Sequence, residues 1–435
     1  MTRRSRIAAV ALALVAGPAA RAAEPPPLTL QALEEKAVAR NPTLALAAAA
    51  VRAAEGRARQ AGLLPNPLIG YRGSELTRDR QKWYRQTEHY FFLEQRIVTG
   101  RKLKRGRTVF EAEALAAGAR AEAQQQRVRN AVRILYYDAL VAARMVEVRG
   151  ELARIAREAA GVSRELLNVG QADQPDVLEA EIEADRAEIQ VEAARQHQEG
   201  VWRVLAAVVG EPETAVRPLA GNPEEGIPVL EQEALAAALV RDSPEMKAAQ
   251  AAARREHAGV SLARSGRFGD ISLQTGIGYN YDKSHGLGGW VGGLEVAFPL
   301  PFFNRAQGAV AASRAEAERA DAEVRRLELE LRARLATEFL GYARARGLVD
   351  RYQAQVIPKA QRAYQLYLAR FREMAAAYPQ VLIAQRTLAQ VQAEYLDALD
   401  DVWRHVVLLQ GSLLDGGLAD PADPGTNDVV VESEG

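Results

Sequence analysis

The residues best placed to do chemistry in this chain are carboxylates, and they gather after one turn. Beyond Asn168-Val169-Gly170-Gln171-Ala172-Asp173, the acids Asp176, Glu179 and Glu183 step by three and four. That spacing sets them on one face of a helix, with Asp173 in the turn itself. Carboxylates repeated in this way concentrate cations near them. The plainer reading is a solvated helix face whose acids favour the positive end of the helix. No pattern offers covalent or acid–base catalysis. The five histidines, His89, His197, His257, His285 and His405, are scattered, and none lies three or four residues from another. The chain has 0 Cys, which excludes thiolate nucleophiles, thiolate metal sites and structural disulfides. There is no phosphate-cradling glycine loop and no zinc signature. The expectation is a protein that is not an enzyme, with no catalytic, cofactor-binding or metal-ligating residues.

The elements that hold this acidic face are written twice. LQALEEKAVARNPTLALAA, from Leu30 to Ala48, corresponds to LEQEALAAALVRDSPEMKA, from Leu230 to Ala248, with Asn41-Pro42 standing where Ser243-Pro244 stands. LEQRIVTGRK from Leu93 corresponds to LEVAFPLPFFNR from Leu294, and PDVLEA from Pro175 to PQVLIA from Pro379. A duplication of this extent makes each half one copy of a unit that needs the other. Both halves read short helix, two strands, very long helix, tight turn, short helix.

The long helices are expected over 101–168 and 305–372. At 1.5 Å per residue each is roughly 100 Å long, too long for an ordinary globular domain. Their apolar stripe is narrow: Val132, Leu135, Ala139, Ala142 and Val146 in one, Leu331, Leu335, Phe339 and Tyr342 in the other. This is a coiled-coil seam rich in alanine, equally compatible with a solvated antiparallel coiled coil that has no channel. The strands favour a different setting. In ISLQTGIGYNY, Ile271, Leu273, Ile277, Tyr279 and Tyr281 share one face with Thr275, while Ser272, Gln274, Gly276, Gly278 and Asn280 share the other. In the following segment Trp290, Leu294, Val296, Phe298 and Leu300 oppose Gly293 and Glu295. Strands of about ten residues, apolar outside and small or polar inside, suit a transmembrane barrel. A soluble hairpin sheet alternates in the same way, but here each hairpin is followed at once by a helix of about 100 Å. The first pair of strands is less regular, because His89, Tyr90, Phe91 and Phe92 form one continuous aromatic run.

The termini fit an exported protein. Arg3, Arg4 and Arg6 precede the apolar run Ile7–Ala16, and Ala20-Arg21-Ala22 offers a small-x-small cleavage site, so residues 1–22 read as a secretory signal peptide. The Arg3-Arg4 pair also suits twin-arginine export, but a barrel must be delivered unfolded. The formal net charge is +0; without the four arginines of residues 1–22 there are 52 basic against 56 acidic residues, a net of −4. No basic excess points to nucleic acid. Residues 413–435 carry six acids and no Lys or Arg, and read as an acidic flexible tail.

Taken together, AGLLPNPLIGYR (Ala61 to Arg72), EQRIVTGRKLKR (Glu94 to Arg105), its counterpart FPLPFFNR (Phe298 to Arg305) and the helix starts at Val177 and Val381 resemble the TolC-type outer-membrane efflux channels. The resemblance covers essentially the whole mature chain. It implies a mainly α protein with membrane β: a long coiled-coil α-helical barrel plus a 12-stranded trimeric β-barrel, four strands per protomer, internally duplicated. It further implies a homotrimer set in outer-membrane lipid of a Gram-negative bacterium and extending into the periplasm. The helical tunnel would close at its far tip, and the partners would be a periplasmic adaptor (membrane fusion) protein and an inner-membrane pump. Val169, Gly170 and Gln171 look like the family's tip, where adaptor hairpins dock. The second tip reads Phe371-Arg372-Glu373-Met374-Ala375-Ala376, with Met374 where glycine is expected. Asp173, Asp176 and Glu179 fall where a periplasmic gate would lie. The lipid-anchor cysteine of many relatives is missing. The PNP after the first helix and the GRK after the second strand resemble the cobalt-zinc-cadmium and copper-silver branch, which implies export of heavy-metal cations. Multidrug or organic-solute efflux and type I secretion use the same parts, and a periplasmic coiled-coil adaptor or tether without a pore is the rival from another class.

The expected layout is a first structural repeat over 23–226 and a second over 227–412. Strands are expected at 67–73, 86–97, 271–281 and 289–300. Shorter helices are expected at 29–63, 175–209, 232–265 and 379–411, stacked end to end in pairs beside the long ones. A mixed region should hold 210–231 and part of the tail.

Overall fold

Proline decides where the helical pattern is cut. The computed structural model describes residues 27–74, 88–280, 289–373 and 378–420. The expected helix 29–63 is two helices, α1 (Leu30–Arg40) and α2 (Pro42–Ala61). Its counterpart 232–265 is likewise α5 (Gln232–Asp242) and α6 (Pro244–Ser265). A residue before proline is pushed out of the helical region, and both Asn41 (ψ 122°) and Ser243 (ψ 129°) are extended there. Proline then opens the next helix, where its missing N–H costs nothing.

The first long helix, α3 (Lys102–Asn168), is continuous over 67 residues. The second is not. It is α7 (Gln307–Arg351), a π-turn at Tyr352–Val356 and α8 (Ile357–Arg372). Pro358 explains the correction: it offers no N–H, and its ring clashes with the carbonyl four residues earlier, so the backbone widens by a turn. The return helices are α4 (Gln174–Val209) and α9 (Tyr378–Gln410).

α2 and α4 lie end to end along α3, and α6 and α9 along α7 and α8. Asn41 makes the first junction. Its side chain accepts from the Thr43 N–H at 3.0 Å, starting α2, and donates to the Val208 carbonyl at 2.9 Å, finishing α4. The repeats meet through α3. Tyr137 stacks on Trp403 with centroids 3.7 Å apart, and Glu245 of α6 bridges Arg127 of α3 (3.3 Å) and Arg334 of α7 (3.2 Å). The apolar seam is where the period of the sequence sets it: Val132, Ala139, Leu331, Leu335 and Tyr342 are buried. Towards the tips the core is built from Ala156, Ala159, Ala160, Ala180 and Ala184 against Val381 and Leu382, which brings helix backbones close.

The region 210–231 wraps the middle of the body. Pro223 accepts from Trp403 Nε1 at 2.7 Å and Pro228 from the Tyr342 hydroxyl at 2.7 Å. Residues 413–420 are the part of the tail held in this region: Leu413 and Leu414 are buried, and the Gly417 carbonyl accepts from Gln124 Nε2. The two leucines bury apolar surface that a free tail would leave in water. The remainder, 421–435, and residues 1–26 lie outside the described residues.

Four antiparallel strands, β1 (Leu68–Ser74), β2 (Glu88–Ile97), β3 (Ile271–Asn280) and β4 (Gly289–Ala297), pair in chain order. The last strand stops short of the expected 300 because Pro299 and Pro301 follow, and proline donates nothing to a ladder. The two hairpins, one from each repeat, join at β2–β3, with Ile97 opposite Ile271 and Glu88 opposite Asn280.

Candidate functional site

Two regions carry the features expected of a conduit: the turn between α3 and α4, and the sheet. At the turn, Gly170 takes φ +75°, a left-handed conformation that glycine adopts without strain. The Gln171 N–H then bonds the Leu166 carbonyl at 2.8 Å and the Gly170 N–H bonds Leu167 at 3.0 Å, closing the last turn of α3. This throws Val169 outward, 68% exposed, and leaves open space where a Gly170 side chain would be. Val169, Gly170 and Gln171 therefore form one small protruding surface. Met374, their expected counterpart at the second tip, lies outside the described residues.

The acidic residues of the turn divide by role. Asp173 and Asp176 form a capping box at the start of α4, with the Asp173 N–H 3.5 Å from the Asp176 carboxylate. Glu183 is tied to Arg386 of α9 at 2.7 Å. Glu179 is exposed and makes no ion pair among the described residues. Capping keeps the Asp173 and Asp176 side chains at the turn. Among the described residues no group of three or more His, Asp or Glu is placed to hold a metal ion.

The sheet has two unlike faces. Residues directly opposite across antiparallel strands share a face, so Ile69, Leu93, Thr275 and Leu294 form one row, Tyr71, Phe91 and Ile277 the next, and Tyr279 and Trp290 a third. All of these side chains but the half-buried Tyr279 are exposed, with Trp290 at 74% and Leu294 at 73%. The other face carries Glu94, Gln274 and Glu295 in one row and glycine beside Tyr90 and Phe92 in the next two. Outside the sheet, no described helix is long and apolar enough to cross a membrane.

Sequence reasoning missed two clusters that join the repeats. Asp270, just ahead of β3, accepts from Lys102 Nζ at 2.7 Å and from the Thr99 N–H at 3.1 Å, with Arg96 Nε at 3.5 Å. Partial burial pushes its carboxyl up, but these donors and cations outweigh that and hold it below the usual carboxylate value. Between α3 and α9, Asp138 sits beside Asp400, with Arg404 at 3.8 Å. Burial, then the neighbouring Asp400 carboxyl and its charge, push Asp138 up to about 8, against the pull of Arg404. Burial and the charges of Asp400 and Asp401 also raise Asp397. The available signal was the triplet Asp397, Asp400 and Asp401 on one helix; the Asp138 partner has no local signature.

Comparison with known proteins matches this duplicated body. The profile of the family described as Outer membrane efflux protein fits residues 33–211 and 235–413, one interval in each repeat. The chain belongs to this family. It is similar to the cobalt-zinc-cadmium resistance protein CzcC of Cupriavidus metallidurans, 26% identical over 387 residues that cover 87% of this chain and 88% of that one. Among solved structures it resembles CusC (TM-score 0.75, 17% identity, 89% of this chain and 92% of that one). It also resembles the outer membrane protein VceC of Vibrio cholerae (TM-score 0.73, 18% identity, 89% and 96%) and the outer-membrane channel OprN (TM-score 0.72, 18% identity, 90% and 91%). At these identities the solved structures establish the fold: a long helical body carrying a β-barrel segment, internally duplicated. The family is one of efflux ducts.

Proposed function

We propose that three copies of this chain close their sheets into one 12-stranded barrel in the outer membrane, and that the chain is the passive exit duct of a tripartite efflux pump that exports heavy-metal cations. The observation that carries the reading is the sheet. Among the described residues, its outward rows of exposed apolar side chains have no covering element, and β1 and β4 each have a free edge. Bare edges in lipid are costly, and closure with further copies removes them. The helical body, about 100 Å long, gives the reach across the periplasm. Similarity to CzcC, a cobalt-zinc-cadmium resistance protein, supports the cargo.

Within this reading Val169, Gly170 and Gln171 dock the adaptor, together with the second tip at Met374, and Asp173, Asp176 and Glu179 line the gate. Energy comes from the inner-membrane pump. The test has two arms. Deleting the gene should sensitise cells to divalent cobalt, zinc or cadmium, and purified protein in planar bilayers should conduct poorly until the tip is opened. Wild-type metal resistance in the deletion strain overturns the cargo. Recovery outside the outer-membrane fraction, with no heat-modifiable migration on gels, overturns the duct.

A further inference from the structure

The inward face of the sheet holds two aromatic rings in hollows made of glycine. Phe92 lies between Gly70 and Gly276 in register, and Gly276 pairs in turn with Gly293; Tyr90 lies beside Gly278. A Cβ added at Gly70 would lie 2.7 Å from Cε1 of Phe92. One added at Gly293 would fall on the Tyr90 hydroxyl, with Cζ 3.2 Å away. The rings are therefore laid flat along the wall, Phe92 over β1 and Tyr90 across β3 to β4. Aromatic cover over a neighbouring strand's glycine is a recognised stabilising device. The Arg72 guanidinium, 5.5 Å from the Phe92 ring centroid, covers that ring in turn.

We propose that these glycine seats set the free bore of the duct at the level of the sheet, by holding Tyr90 and Phe92 against the wall instead of across the passage, and so set the size of solute that passes. This rests on the pore reading, in which this face lines the channel. In a barrel of three copies six such rings fall at adjacent levels. Twelve strands enclose a lumen that side chains alone do not fill, so whether bulky rings lie down or stand up decides how much of it is open. Glycine is what permits them to lie down, since any Cβ at Gly70 or Gly293 occupies the place of the ring.

The chain has 0 Cys, so a single introduced thiol reports cleanly. Gln274→Cys places one on the inward face, one row nearer the helices than Phe92. Thiol-reactive polymers of graded size, added from outside to intact cells, must pass both rings to reach it. Adding Gly293→Ala or Gly70→Ala should abolish labelling by the largest polymers that reach the parent thiol. Pairing them with Tyr90→Ala or Phe92→Ala, respectively, should restore it. These two glycines are chosen because the new methyl meets only the far end of a ring; at Gly278 it would also meet the His89 carbonyl at 2.6 Å. Tyr90→Ala alone should leave the cut-off nearly unchanged, which keeps the test open if a glycine variant fails to assemble. An unchanged cut-off in assembled glycine variants, no recovery on ring truncation, or a large gain from Tyr90→Ala alone overturns the seats. If even the smallest reagent never reaches the Gln274→Cys thiol in assembled protein, the pore reading falls and this one with it.

Discussion

Asn41 and Ser243 hold the same place in the two repeats, and their removal should have unequal consequences. Asn41 is 3% exposed and fully engaged: it accepts from the Thr43 N–H and hydroxyl and donates to the Val208 carbonyl. Ser243 is 0% exposed, and its hydroxyl has no partner among the described residues. Asn41→Ala removes a helix cap worth about 1 kcal/mol. It also strands buried groups at the end of α4, at about 1–3 kcal/mol for a group left unsatisfied. The sum is about 2–4 kcal/mol, or roughly 30- to 900-fold in a local opening equilibrium at 1.36 kcal/mol per decade. Ser243→Ala removes a buried hydroxyl that bonds nothing, so the change should stay within about 0.5 kcal/mol or be stabilising. Amide hydrogen exchange of the folded protein in detergent reads both sites at once. Exchange in the first turn of α2 and the last turn of α4 should accelerate in Asn41→Ala. The first turn of α6 should be unaffected in Ser243→Ala. Equal acceleration in the two variants would falsify the assignment of the Asn41 side chain as the clasp between stacked helices.

Three further outcomes are expected. Folded Asp138, raised to about 8, keeps a proton that the unfolded carboxyl releases near 3.8; stability should therefore fall as pH rises between these values and level off above them. Asp138→Asn should flatten that slope in thermal unfolding scans at pH 5, 7 and 8.5, and an unchanged slope would count against the raised Asp138 carboxyl. The depressed Asp270 carboxyl has the opposite sign: its contribution is present above the ordinary value of 3.8 and lost as pH falls below it. Asp270→Ala should cost about 1–3 kcal/mol, for the charge-assisted hydrogen bonds lost to half-buried Lys102 and Thr99, read as a lowered denaturation midpoint at neutral pH. At the tip, Asp173→Asn with Asp176→Asn removes charge while asparagine keeps the N-cap. Single-channel conductance at low salt should rise or block by divalent cations should weaken, and wild-type values for conductance, block and metal resistance would place the gate elsewhere.

What could be read ahead of the structure was whatever repeats at short range. The faces of β3 and β4 followed from alternation, because every second residue of a strand shares a side, and the observed register pairs Leu273 with Val296 and Tyr279 with Trp290 accordingly. The run His89–Phe92 defeated the same rule. All four residues are large, and what separates His89 and Phe91 from Tyr90 and Phe92 is glycine on other strands, including Gly276 from the opposite repeat. The prolines were a different kind of miss. Asn41-Pro42, Ser243-Pro244 and Pro358 each carried a local signal for a break, and the apolar period ran through them undisturbed.

That last contrast bears on how the duplicated plan came to differ between its halves. α3 runs unbroken over 67 residues, while its counterpart widens at Tyr352–Val356. Within this π-turn Tyr352 reaches α9, its hydroxyl 2.7 Å from Glu394, and that bond lowers the Glu394 carboxyl and raises the Tyr352 phenol. The first repeat spends its polar links elsewhere. Arg164–Glu181 pins α4 to α3 near the tip at 2.6 Å, and Asn41 clasps the far end of α4. One half is thus a continuous rod fixed at both ends. The other has a helix with one weakened turn and, at Ser243, a junction without a clasp. Bending in a body made of such halves concentrates where intrahelical bonds are already rearranged; on the gated-duct reading proposed above, the second hairpin, α8 with α9, is the one to yield at the tip, with the first hairpin as the frame it moves against.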